Sequence, residues 1–153
     1  MYKKILVPLD GSELAECALS HVKHLVKGEA LKEVILLNVF KVHAEAAGMG
    51  ECAIYINIDE TRSEVSAASK KYLATVASRL ASEGIKVKMV SLEGNRPANV
   101  ISDYAQKNGM DMIVIATHGY TGLKKLMLGS VALGVLHESR APVLLIRPET
   151  CRM

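Results

Sequence analysis

The sequence predicts a doubly wound α/β fold: a five-stranded, largely parallel sheet with helices on both faces. Three observations predict it. Short runs rich in β-branched and other apolar residues recur at 3–9, 34–40, 85–92, 112–116 and 143–146. The runs at 3–9, 34–40 and 112–116 are too continuous for a strand with one wet face and too short for a helix, so they read as strands covered on both sides. Between successive runs lie stretches whose apolar residues repeat every three or four positions, as in an amphipathic helix. Parallel strands need such crossovers, and each strand–helix–strand unit is right-handed.

Strand one ends on Pro8 and Leu9, and Asp10-Gly11-Ser12 turns the chain out of it. Ser12 suits an N-cap and Glu13 a first helical turn. Leu14, Ala18, Val22, Leu25 and Val26 share one helical face, with Cys17 near it as a core residue. Strand two carries Asn38 inside its apolar run. Residues 41–61 are the least regular part of the chain; at roughly 20 residues they exceed an ordinary connection and read as a mobile excursion. Asp59 or Thr61 is the expected cap of a long helix over 60–82, with Val65, Ala68, Tyr72, Val76 and Leu80 as its stripe. Ile85, Val87 and Met89 alternate with Lys86 and Lys88, as on an edge strand. Pro97 suits the first position of the third helix, whose inner face is Val100, Ile101, Tyr104 and Ala105. The fourth strand runs into Thr117-His118-Gly119-Tyr120-Thr121-Gly122, and Ser130 is the expected N-cap of a last helix over 131–139. Met89, Met110, Met112 and Met127 read as packing residues.

The 153 residues suit one domain, 1–153, with a single sizeable core. No apolar run approaches the length of a membrane span. The chain passes from Met1 straight into a strand pattern, so a cytoplasmic location is expected. A formal charge of +3, scattered along the chain and without interleaved aromatics, argues against a nucleic-acid partner. Cys17, Cys52 and Cys151 are widely spaced and odd in number, which fits a reduced compartment and not a disulfide scaffold. His21 and His24 lack the further ligands of a zinc motif.

In open α/β sheets ligands bind beyond the carboxyl ends of the strands, where the strand order reverses. Strands one and four end at Asp10-Gly11 and at Ala116-Thr117. If they are neighbours, Asp10 faces the same cleft as Gly119, Gly122, Gly129 and Ser130. Glycines allow backbone amides to approach phosphate oxygens, and a helix start adds donors and a favourable dipole. Asp10 can accept from a ribose hydroxyl or help hold a divalent cation, Mg2+ or Mn2+, carried on the phosphates. Pro8, Leu9 and Val39 can wall a slot for a base. The spacing is neither a Walker A loop nor a dinucleotide fingerprint, and an ordinary strand–loop–helix connection, with Asp10 only capping its turn, accounts for the same residues. His118 has no partner of a nucleophile motif in its segment and reads as a loop residue beside the ligand. No pair of carboxylates is placed to activate water, so hydrolysis, if any, is slow.

These residues resemble the universal stress protein family over nearly the whole chain. The likeness rests on Ile5 to Ser12 (ILVPLDGS), Leu36 to Val39 (LLNV) and 115–130. It is similar to the nucleotide-binding branch, whose motif is G-x2-G-x9-G-S/T: its second glycine falls on Gly119, and nine residues later come Gly129 and Ser130. Ala116 stands where the first glycine belongs. Gly94 with Pro97 resembles the family's Gly–Pro turn with one residue more between them. The resemblance implies strand order 3-2-1-4-5 in a Rossmann-like, adenine nucleotide α-hydrolase-like three-layer α/β/α arrangement. It implies a bound adenine nucleotide, usually ATP: Pro8, Asp10 and Val39 on the adenine and ribose side, and Gly119, Gly129, Ser130 and Val131 on the phosphate side. Leu9, Ser12, Ala116, His118 and Gly122 complete the candidate set. It also implies a homodimer, commonly through the last strand, 143–146. The expected function is that of an ATP-binding regulatory stress protein. A nucleotide-independent dimeric interaction module and a nucleotide α-phosphate hydrolase or transferase are the other readings.

Overall fold

The computed structural model describes residues 2–27, 31, 33–43, 57–117 and 128–148. In chain order the elements are β1 (Lys4–Pro8), α1 (Glu13–Glu16), α2 (Ala18–Val26), β2 (Glu33–Phe40), α3 (Ile58–Ser82), β3 (Lys88–Glu93), α4 (Pro97–Lys107), β4 (Met112–Ala116), α5 (Ser130–Glu138) and β5 (Val143–Ile146). The strands form one sheet in the order β3-β2-β1-β4-β5. Every neighbouring pair is parallel, with β1 between β2 and β4.

Side chains of a strand point alternately to its two faces, so a strand covered on both sides supplies two cores. Ile5, Val7, Val34, Leu36, Met112 and Val114 point one way, against Ala18, Val22, Leu73, Val76 and Leu80 of α2 and α3. Leu6, Ile35, Leu37, Ile113 and Ile115 point the other way, against Ile101, Ala105, Ala132 and Val135 of α4 and α5. Asp111 fastens the start of β4 to that of β1: its carboxylate accepts the amides of Lys3 and Lys4 at 2.9 and 2.8 Å.

Several local expectations are corrected. The first helical stretch is broken at Cys17, whose amide donates back three residues to the Leu14 carbonyl at 3.3 Å, tighter than an α-helical bond. The buried positions there are Ala15, Ala18, Leu19 and Val22, and Leu14 is only half-buried. Cys17 is also half-buried and is disulfide-bonded, contrary to the reading of a reduced core thiol. The cap of α3 is Asn57, whose Oδ1 accepts the Glu60 amide at 3.3 Å. Asp59 and Glu60 instead lie in the first turn, where they favour the helix dipole. The excursion therefore ends before Ile58, and 44–56 lie outside the described residues. β3 is an edge strand as expected, but it begins at Lys88 and leaves Met89 half-exposed, while Met110 and Met112 are buried. Met127 lies outside the described residues. On α4 the buried residues are Ile101, Ser102 and Ala105, with Val100 and Tyr104 at the margin.

The crossing of α4 over α5 is close. A Cβ on Gly134 would stand 2.6 Å from the Ala98 Cβ, an atom on its own backbone's leash. Replacing a helical glycine by alanine ordinarily gains about 1 kcal/mol. Here overpacking costs about 1–3 kcal/mol and wins. Urea titration is therefore expected to find Gly134→Ala less stable than the wild type, and a more stable variant would show that the helices separate freely. Asp111 gives a pH prediction. The two amides hold its carboxyl below its ordinary 3.8. A pKa lowered by folding contributes stability above the ordinary value and loses it as pH falls through the folded value. Wild type is thus expected to exceed Asp111→Asn in stability at neutral pH, with the gap closing below pH 3.8; a gap constant with pH would refute this role.

Candidate nucleotide cleft

β1 and β4 are adjacent, and the chain leaves them toward opposite sides, so the order reverses between them. A cavity of about 220 Å³ lies at their carboxyl ends. Pro8, Leu9, Asp10, Val39, Ala116, Gly129, Ser130 and Val131 all line it. These predicted residues come together from four separate stretches of chain. Ser12 is not in the lining; it acts one step behind it. His118, Gly119 and Gly122 lie outside the described residues.

The exit from β1 is built locally. The Leu9 amide donates to the Leu37 carbonyl at 2.8 Å, extending the strand pairing by one residue. Gly11 has φ 89°, a conformation natural to glycine that reverses the chain. Asp10 Oδ1 accepts from the Ser12 amide at 2.9 Å and from the Ser12 hydroxyl at 2.6 Å. Ser12 Oγ in turn accepts the Ala15 amide at 3.1 Å and so caps α1. Asp10 therefore both stabilises its turn and lines the cleft, so the turn-capping and binding readings coexist at one residue.

The opposite rim is also tied. The Thr117 amide donates to the Ile146 carbonyl at 2.8 Å, and the Thr117 carbonyl accepts the Gly129 amide. That second bond brings the two ends of the 117–129 connection together. Ser130 is not the N-cap expected of it; Gly129 is, and Ser130 is the first helical residue. A glycine cap has no side chain to occupy the first-turn amides of α5, and no side-chain cap is made. Those amides and the positive end of the helix dipole lie at the cleft.

Ala15, Leu37, Pro97, Ile101, Ile115, Thr117 and Ala132 also line the cavity, and sequence reasoning did not assign them to it. Pro97 carried a signal, since it opens α4 after the Gly94 turn. The others were read as strand, loop or helix packing. Tyr72 was assigned to the stripe of α3, yet its hydroxyl donates to Glu16 Oε1 at 3.1 Å. Burial first, then the Glu16 charge, pushes its pKa far up, so the phenol keeps its proton. Among the described residues no group of three or more His, Cys, Asp or Glu could hold a metal ion by itself. Among those residues, too, no helix is long and apolar enough to cross a membrane.

The sequence profile of the Universal stress protein family matches residues 1–147. The chain belongs to that family. It is 35% identical over 158 residues to the universal stress protein MJ0577 of Methanocaldococcus jannaschii, covering 96% of each chain. The solved structure of MJ0577 superimposes with a TM-score of 0.79, again over 96% of each chain. The universal stress protein YxiE of Bacillus subtilis is 33% identical over 150 residues, 96% of this chain and 100% of its own. A family member from Arabidopsis thaliana, solved with AMP bound, is 17% identical with a TM-score of 0.65, covering 95% of this chain and 91% of its own, which is a likeness of fold. Membership in the family accords with the strand order 3-2-1-4-5 found here.

Proposed function

We propose that this universal stress protein binds an adenine nucleotide, ATP in the first place, in the cleft between the ends of β1 and β4, and acts as a nucleotide-responsive regulator. The observation that carries the reading is the pairing of the glycine-capped start of α5 with Asp10 around one apolar-floored cavity. Pro8, Leu9 and Val39 offer apolar surface to a base, and Asp10 a carboxylate to the sugar hydroxyls. The α5 amides near Gly129, Ser130 and Val131 suit the phosphates, and the family resemblance assigns Gly119, outside the described residues, to the phosphate side. The AMP found in the Arabidopsis relative supports the ligand class.

Mg2+ or Mn2+ would arrive on the phosphates, since such a cation needs one or two carboxylates and otherwise binds phosphate and water. Asp10 is the only carboxylate among the described lining residues, and one of its oxygens is engaged by Ser12. That donor set fits a cation shared with a nucleotide, not one held by protein alone. A single engaged carboxylate is a poor general base, so turnover is slow and the nucleotide serves as a bound signal.

β5 is the edge of the sheet, and a second copy pairing along 143–146 would cover it. Leu133 and Leu136 of the neighbouring α5 are exposed apolar residues, which adds to the case for a covered face. We expect sedimentation velocity to report a dimer that Leu144→Arg converts to monomer; a monomeric wild type would dismiss the strand pairing.

Isothermal titration of nucleotide-stripped protein with Mg-ATP tests the binding reading. Heat and a raised melting temperature are expected, and neither at millimolar ligand would sink it. Gly129 has φ −59°, which any residue adopts, so Gly129→Val leaves the backbone unstrained. That variant is expected to melt near the wild-type temperature and to bind ATP at least about tenfold more weakly, a loss of about 1.4 kcal/mol. Unchanged affinity would remove the phosphates from α5.

A further inference from the structure

The core between α3 and the sheet is apolar except along one line. Asn38, in the middle of β2, and Ser69, on α3, are both buried. The Ser69 hydroxyl donates to Asn38 Oδ1 at 2.6 Å and also lies 2.6 Å from the Ser91 hydroxyl of β3. Ser69 has one hydroxyl proton and gives it to Asn38, so Ser91 donates to Ser69. Asn38 then donates through Nδ2 to the Leu9 carbonyl at 2.7 Å. The chain of donors runs Ser91, Ser69, Asn38, Leu9.

Apolar side chains of the same size would fill this space at lower desolvation cost, and buried polar chains lock geometry only when each member is satisfied. The line ends on the Leu9 carbonyl, in the peptide group just before Asp10. It comes from the α3 face of the sheet, whereas the cleft opens toward α4 and α5. Asn38 and Ser69 do not line the cleft and act through the backbone at residue 9.

We infer that Asn38, supported by Ser69, is a positioning residue for the sugar of a bound nucleotide: it fixes the peptide group that precedes Asp10 and so aims the Asp10 carboxylate at the ribose hydroxyls. The inference rests on the nucleotide reading of the cleft and adds to it the source of ribose selectivity. α3 thereby becomes the part of the protein whose position is read by the sugar, and a partner that shifts α3 would change the preference for ribonucleotides without entering the cleft.

The test compares dissociation constants of the full chain for Mg-ATP, 2′-deoxy-ATP and 3′-deoxy-ATP in wild type, Ser69→Ala and Ser91→Ala. Each variant removes one hydroxyl and keeps the packing shape. Wild type is expected to prefer ATP over at least one deoxy analogue. In each variant that preference should fall by about fivefold, the scale of one aimed hydrogen bond, while binding of the deoxy analogue changes less than about twofold. Variants that lose thermal stability but keep the wild-type preference would assign the polar chain to folding alone and overturn the inference. So would a wild type that binds ATP and both analogues equally. A wild type that binds none of the three defeats the nucleotide reading itself, which separates the two failures.

Discussion

The structure depends on how the backbone leaves β1. That strand is the centre of the sheet, paired on both sides and buried on both faces. A chain emerging from such a place has no water to satisfy its peptide groups, so each must find a partner within the protein. Leu9 finds two, the Leu37 carbonyl for its amide and the Asn38 side chain for its carbonyl. The turn after it then uses its own side chains: Asp10 holds Ser12, Ser12 caps α1, and Gly11 supplies the reversal. If this exit were looser, the carboxyl edge of the sheet would lose one wall of its cleft.

The cleft is a consequence of topology. The sheet grows from β1 toward β2 on one side and toward β4 on the other, so the connections from β1 and β4 diverge and leave a gap above their ends. Because the floor of the gap is made by inward-facing strand residues such as Leu37 and Ile115, it is apolar. Polar groups reach it only from the rims. One rim brings a carboxylate, the other a helix start with a glycine cap. That division of an apolar floor and two oppositely charged rims suits a molecule with a flat base, a hydroxylated sugar and an anionic tail.

The two faces of the sheet divide the work. The α4 and α5 face carries the cavity and the close Gly134–Ala98 crossing. The α3 face carries the buried polar line that reaches the β1 exit from behind. Asp10 is therefore braced from one side of the sheet and lines the cleft on the other.

The sequence by itself determined the elements whose signals are local. Continuous β-branched runs named the strands, and β5 lies where its run placed it; Asp10-Gly11-Ser12 declared its turn; Gly129-Ser130 marked the last helix to within one residue. Eight of the twelve predicted site residues line one cavity because the strand order implied by the family resemblance sets the ends of β1, β2 and β4 side by side. Tertiary structure alone decided what depends on neighbours remote in the chain. Asn57 outcompetes Asp59 and Thr61 as the cap of α3 because its side chain meets the right amide, and Ser130 yields its capping place to Gly129. Ser69 looks like an ordinary small helical residue and Asn38 like a flaw in a strand until folding places them 2.6 Å apart across a separation of 31 residues. Periodicity reports which way a side chain faces; only packing decides which polar groups meet when they face inward, since an unpaired buried group is costly and a paired one fixes position.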